Sequence, residues 1–163
     1  MISTITLIEI EQPIGTFYIG KINAKKLLKF TETKSRSSGE GVQRDLSKER
    51  IQEIANYCLD PDATFPTPII VSINDVNNEI DLKKKNMGLF DFSIQENIKA
   101  DVIDGQHRLR GIEKKINDDP DFDIELPVVF MFNLSNEEKA YIFSTINNNQ
   151  RKVDKSLIFE LFD

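Results

Sequence analysis

Val102-Ile103-Asp104-Gly105-Gln106-His107-Arg108-Leu109 passes from an apolar, strand-like run into an amphipathic, helix-like one. Strand, tight turn and helix in that order is the geometry that aims free backbone N–H groups at an anion. The central five residues also hold the chain's only histidine, His107. Behind them Leu109, Ile112 and Ile116 repeat at helical spacing, so the segment Gln106 to Ile116 is expected to bury that stripe. Arg108 lies on the margin of the stripe, while His107, Arg110 and Lys114 share a more exposed face.

Two readings of the turn stand side by side. In one, Asp104 is the N-cap, Gly105 permits the turn, and Gln106 and His107 merely occupy the first helical turn. In the other, the residues hold an anion. Asp104 to Ile116 sums to a charge of +2 inside a chain of net charge -6, and cations around a helix N-terminus favour a phosphate-like ligand. A metal site is not expected, because one histidine cannot supply a conventional zinc centre.

Working outward, Ile5 to Ile10 and Phe17 to Ile22 alternate apolar and polar residues around Gln12-Pro13-Ile14-Gly15, which predicts a β-hairpin. Ala24 to Phe30 predicts a short helix with Leu27, Leu28 and Phe30 on its apolar side. Thr31 to Gln43, with Lys34, Arg36, three serines and two glycines, predicts a mobile loop. Ser47 to Leu59 predicts a helix with Ser47 as N-cap, and Cys58 falls on its apolar stripe as an expected core thiol. Arg44, just before that helix, is misplaced with respect to the helix dipole and is either a solvated loop residue or a ligand contact.

Pro61, Pro66 and Pro68 lead into a buried-type strand at Ile69 to Ile73, and Lys99 to Ile103 is the strand that enters the motif. Lys83-Lys84-Lys85 is expected on a solvent-facing edge. After Leu126 to Phe132, another apolar strand, Ser135-Asn136-Glu137-Glu138 forms a capping box opening a helix to about Asn149. Its apolar stripe runs Ala140, Phe143, Ile146 and continues to two amides, Asn147 and Gln150. These amides either cap neighbouring backbone or line a polar pocket. A last helix is expected from Asp154, still apolar at Leu161-Phe162, which suggests that the natural protein continues. The expected architecture is α/β (α+β), a small mixed sheet of about five or six strands flanked by four or five helices.

Composition bounds the function. With 163 residues, 39% hydrophobic and 29% charged, the chain can build one ordinary core. The net charge of -6 argues against coating nucleic acid nonspecifically. A single cysteine fits a reducing, cytoplasmic setting, and no apolar run approaches a membrane span.

The stretch from Val102 to Leu109 resembles the signature of the DGQHR-domain family. The best-known branch of that family is DndB, regulatory proteins of bacterial DNA phosphorothioation systems. Gln43-Arg44-Asp45-Leu46 with Phe65 to Val71 resembles its upstream segment, and Phe143 to Gln150 with Val153, Ser156 and Leu157 its downstream one. The family is similar in turn to the ParB/sulfiredoxin-like fold. The resemblance implies a single domain over 1–163, the N-terminal part of a longer protein. It also implies a phosphate- or nucleotide-binding pocket formed by Asp104, Gly105, Gln106, His107 and Arg108, supported by Arg44, Asn147 and Gln150. A nucleoside triphosphate with Mg2+ is the implied cofactor. DNA is the implied partner, with a second copy or DNA-modification proteins as protein partners. The expected function is a DNA-binding regulator of a DNA modification or defence system, its cationic surface drawn from Arg36, Lys83 to Lys85, Arg108, Arg110, Lys114 and Lys115. The alternatives are a nucleotide-dependent hydrolase or nuclease, with Asp104 and His107 as catalytic residues, and an interaction module in which the motif is only a turn.

Overall fold

The computed structural model describes residues 1–32 and 46–149. The chain opens with β1 (Ser3–Gln12) and β2 (Gly15–Asn23), paired antiparallel with Gln12 opposite Gly15. This is the expected hairpin, turning at Pro13-Ile14. Next come α1 (Ala24–Leu28), β3 (Thr31–Glu32), α2 (Lys48–Tyr57), β4 (Ile69–Ile73), β5 (Asp81–Lys84) and β6 (Leu89–Ile94). β7 (Ala100–Asp104), α3 (Gln106–Asp118), β8 (Glu125–Phe132) and α4 (Asn136–Asn149) complete the described residues. The eight strands form one mixed sheet in the order β3-β7-β4-β8-β2-β1-β6-β5. β3 runs parallel to β7 and β4 parallel to β8, while the other neighbours are antiparallel.

The sheet curls. Phe92 on β6 and Phe130 on β8 have two strands between them, a separation of about 14 Å in a flat sheet. Their ring centroids are 5.7 Å apart, edge to face, and Phe132 meets Phe92 at 5.5 Å. Tyr18 closes the cluster against Phe90 and Phe132. Phe90, Phe92, Phe130 and Phe132 thus fill the inside of the curl, where edge-to-face pairs add to the area they bury.

Helices α2 and α3 run side by side in the same direction. Ser47 at the head of α2 meets His107 at the head of α3, and Gly111, one turn on, meets Ile51 and Ile54. A Cβ on Gly111 would lie 2.4 Å from Ile54 Cγ2, so the close approach of the two helices depends on that glycine. α4 is tied to β7 by Lys139, whose Nζ is 2.9 Å from Asp101 Oδ2. Among the described residues no helix is long and apolar enough to cross a membrane.

Several expectations needed correction. The sheet has more strands than expected, because β5 and β6 lie in a segment whose lysines and asparagines obscured the alternation Leu89-Phe90-Asp91-Phe92-Ser93-Ile94. Thr31–Glu32 belongs to a strand and not to a loop, held by parallel pairing with Ala100 and Asp101. α1 ends at Leu28, although Phe30 beyond it is buried as expected. On α4 the most buried residue is Ile142, outside the expected stripe. Arg36, Gln43, Arg44, Gln150, Val153 and the expected last helix lie outside the described residues.

Candidate functional site

Asp104 ends β7, and Gly105 then takes φ +92°, the left-handed region that costs a non-glycine residue strain. A Cβ there would also sit 2.5 Å from Ile69 Cδ1. Position 105 therefore requires glycine twice over, once for its backbone and once for its space. Gly105, not Asp104, is the N-cap of α3, and having no side chain it caps nothing. The first turn of α3 carries no acidic residue either. Among the described residues, the leading amides of α3 thus receive neither a capping oxygen nor a first-turn carboxylate, at the positive end of the helix dipole.

Asp104 is turned away from that cap position by Arg108, whose Nη2 lies 3.1 Å from Asp104 Oδ2. The same Nη2 donates to the carbonyl of Pro68 at 3.1 Å, and Nη1 donates to both the carbonyl and the hydroxyl of Thr67. Arg108 is therefore a clamp between the motif and the Pro66-Thr67-Pro68 segment. Burial pulls its pKa down, and the Asp104 carboxylate acts against that pull. Gln106 Nε2 donates back to the Val102 carbonyl at 3.3 Å.

His107 Nε2 accepts the backbone N–H of Ser47 at 3.0 Å. A ring nitrogen that accepts cannot carry a proton, so the bonded form is neutral with its hydrogen on Nδ1. Burial, and then the charge of Arg50, push the imidazole pKa below its ordinary value. The histidine joins the heads of α2 and α3, and the nitrogen it would use as a general base at Nε2 is already occupied.

These residues line a cleft of about 310 Å³. Asp104 to Arg108 form one wall, Arg50 and Ile54 of α2 a second, Phe143 and Asn147 of α4 a third, with Thr67 at the margin. Asn147 donates its Nδ2 to the Phe143 carbonyl of its own helix at 2.7 Å. The structure thus gathers Asp104, Gly105, Gln106, His107, Arg108 and Asn147 around one cavity. Arg44 and Gln150 lie outside the described residues. Arg50 and Thr67 were missed by sequence reasoning. The position of Arg50, three residues after the N-cap Ser47, was the available signal, whereas nothing local marks Thr67.

The expected cationic surface is less uniform than its residues suggested. Arg110 pairs with Glu113 at 2.7 Å, Lys115 with Asp119 at 3.0 Å and Lys114 with Asp118 at 3.8 Å. Lys83 and Lys85 face Asp81 and Asp91 near β5, at the opposite end of the strand order from β7. Among the described residues no group of three or more His, Cys, Asp or Glu side chains is placed to hold a metal ion. Cys58 is buried away from the cleft, and burial raises its thiol pKa, as a core role requires.

A family model for DndB, described as DNA-sulfur modification-associated, matches residues 5–163. The chain belongs to the DndB family. Curated proteins yield no match to this DndB-family chain. Among solved structures it is similar to the C-terminally truncated chromosome-partitioning protein ParB from Caulobacter crescentus, crystallised with CTP-gamma-S. That likeness has a TM-score of 0.49 at 10% identity, covering 88% of this chain and 61% of the ParB chain. The present chain therefore spans about three-fifths of that relative.

Proposed function

We propose that this DndB-family protein is a DNA-binding regulator of a DNA sulfur-modification or defence system, with a phosphate-binding pocket at the head of α3. One observation carries the pocket. Among the described residues, α3 begins without a side-chain cap at a cleft whose charged side chains are Arg50, Arg108 and Asp104, a positive balance within a chain of net charge -6. Parallel neighbouring helices add their dipole fields at adjacent N-termini, and a bound anion relieves that accumulation. Family membership supports the DNA-modification setting. A nucleoside triphosphate with Mg2+ is the ligand class this reading favours, and the cytoplasm is the setting.

The geometry favours binding over turnover. A hydrolase built on His107 needs a free ring nitrogen beside the substrate, and Nε2 is held by Ser47. The test is to mix the protein with duplex DNA over a salt series, with and without nucleoside triphosphates and Mg2+, while monitoring phosphate release. Salt-sensitive DNA binding that the nucleotide alters, without phosphate release, is the expected result. Absence of both nucleotide and DNA binding would overturn the proposal, and rapid phosphate release would replace it with the hydrolase reading.

A further inference from the structure

We propose that Arg50 of α2, and not the motif arginine Arg108, is the cation that pairs with the bound phosphate, Arg108 being a positioning residue. This rests on the phosphate-binding reading of the cleft. An arginine side chain offers five N–H groups in a rigid planar fork. The end groups of Arg108 are committed: Nη1 to the Thr67 carbonyl and hydroxyl, Nη2 to the Pro68 carbonyl and the Asp104 carboxylate. Turning that fork toward a ligand would strip donors from the Thr67 and Pro68 carbonyls. It would also uncover the Asp104 carboxylate beside an incoming anion, where like charges repel.

Arg50 stands in the opposite condition. It occupies the first turn of α2, is exposed, and lines the same cleft. Among the described residues no carboxylate pairs with its side chain. Its backbone N–H serves the Ser47 cap, which leaves the guanidinium independent of the helix start. The His107 imidazole, which lines the same cleft, has its pKa lowered by burial first and by the charge of Arg50 second. The head of α3 therefore shares its cleft with a cation of the neighbouring helix that is unpaired among the described residues. Ser47 and His107 hold the two helix heads together, and Gly111 sets their spacing.

The shared ligand chemistry is a phosphate group, supplied by a free polyphosphate or by a DNA backbone. Calorimetric titration of the full chain with inorganic tripolyphosphate, and separately with short duplex DNA, distinguishes them. Arg50→Ala should weaken binding about tenfold or more, as loss of one charge-assisted contact does, with an unchanged melting temperature. Arg50→Lys should recover part of the loss. Arg108→Gln should weaken binding and lower the melting temperature together. Adding Asp104→Asn to Arg108→Gln should restore affinity while the melting temperature stays low, because the repelling carboxylate is gone. A loss confined to tripolyphosphate identifies a free polyphosphate as the ligand, and a loss confined to duplex identifies the DNA backbone. Wild-type-like binding by Arg50→Ala overturns the inference. So does a double variant as weak as Arg108→Gln alone. If the Arg108 variants do not fold, the Arg50 pair still decides which arginine binds. A wild-type chain that binds neither probe fails earlier, and overturns the phosphate reading itself.

Discussion

The heads of α3 and α4 are two solutions to the same problem. At α4, Ser135 Oγ accepts the N–H of Glu138 at 3.1 Å, while Glu138 Oε2 accepts the N–H of Ser135 at 2.7 Å. Glu137 and Glu138 add negative charge to the first turn, so sequence alone seals that end. At α3 the N-cap is a glycine, the first turn has no acid, and the nearby Asp104 is drawn off by Arg108. One helix satisfies its own amides, and the other, among the described residues, has no side-chain cap and begins at the wall of a cleft. The proposed phosphate site is placed at that unsealed start, which Arg108 and His107 hold against neighbouring segments.

The largest way to break this contrast is Gly105→Ala. The added Cβ combines left-handed strain with a collision against Ile69, so unfolding stability should fall by about 2–4 kcal/mol in a urea titration. Loss of well under 1 kcal/mol would mean that the turn relaxes easily. The matching change at the sealed end is milder. Ser135→Ala removes the capping oxygen and should cost about 1 kcal/mol, read from the same titration, without changing phosphate binding.

His107 supplies a pH test. Its pKa is lowered in the folded chain, so the unfolded chain takes up a proton first as pH falls. The contribution of the neutral ring is intact above the ordinary imidazole value of about 6.5 and declines as pH drops toward the lower folded value. Melting temperature followed over that interval should fall, and His107→Gln, which keeps an acceptor for Ser47, should flatten the decline. The smallest effect on stability is expected from Gln106→Glu, which gives α3 the acidic first turn that α4 has. Loss of the bond to Val102 and gain of a dipole interaction are each about 0.5–1 kcal/mol and nearly cancel. Tripolyphosphate binding should nonetheless weaken, and unchanged affinity would count against an anion at this helix head.

The capping box at Ser135 was legible because its partners lie three residues apart, and the hairpin because its turn and alternation are contiguous. The same locality made Gly105 readable as a turn residue. It misled at Asp104, where a residue typical of N-caps is captured by a guanidinium one helical turn away. β6 alternates as a strand should, yet its polar surroundings hid it until pairing with β1 placed Phe90 and Phe92 inside the curl.

By itself the sequence determined the strand–turn–helix at Val102 to Leu109, its local excess of positive charge, and the family to which the chain belongs. Only the tertiary structure decided which arginine is spent and which is available. Arg108 is committed by Thr67 and Pro68, some forty residues earlier, and Arg50 reaches the cleft because Gly111 lets α2 lie against α3. Helix caps and turns are set by neighbours in the chain. The pairing of a charge is set by whatever the fold brings within hydrogen-bond reach, and spacing in the sequence does not encode that.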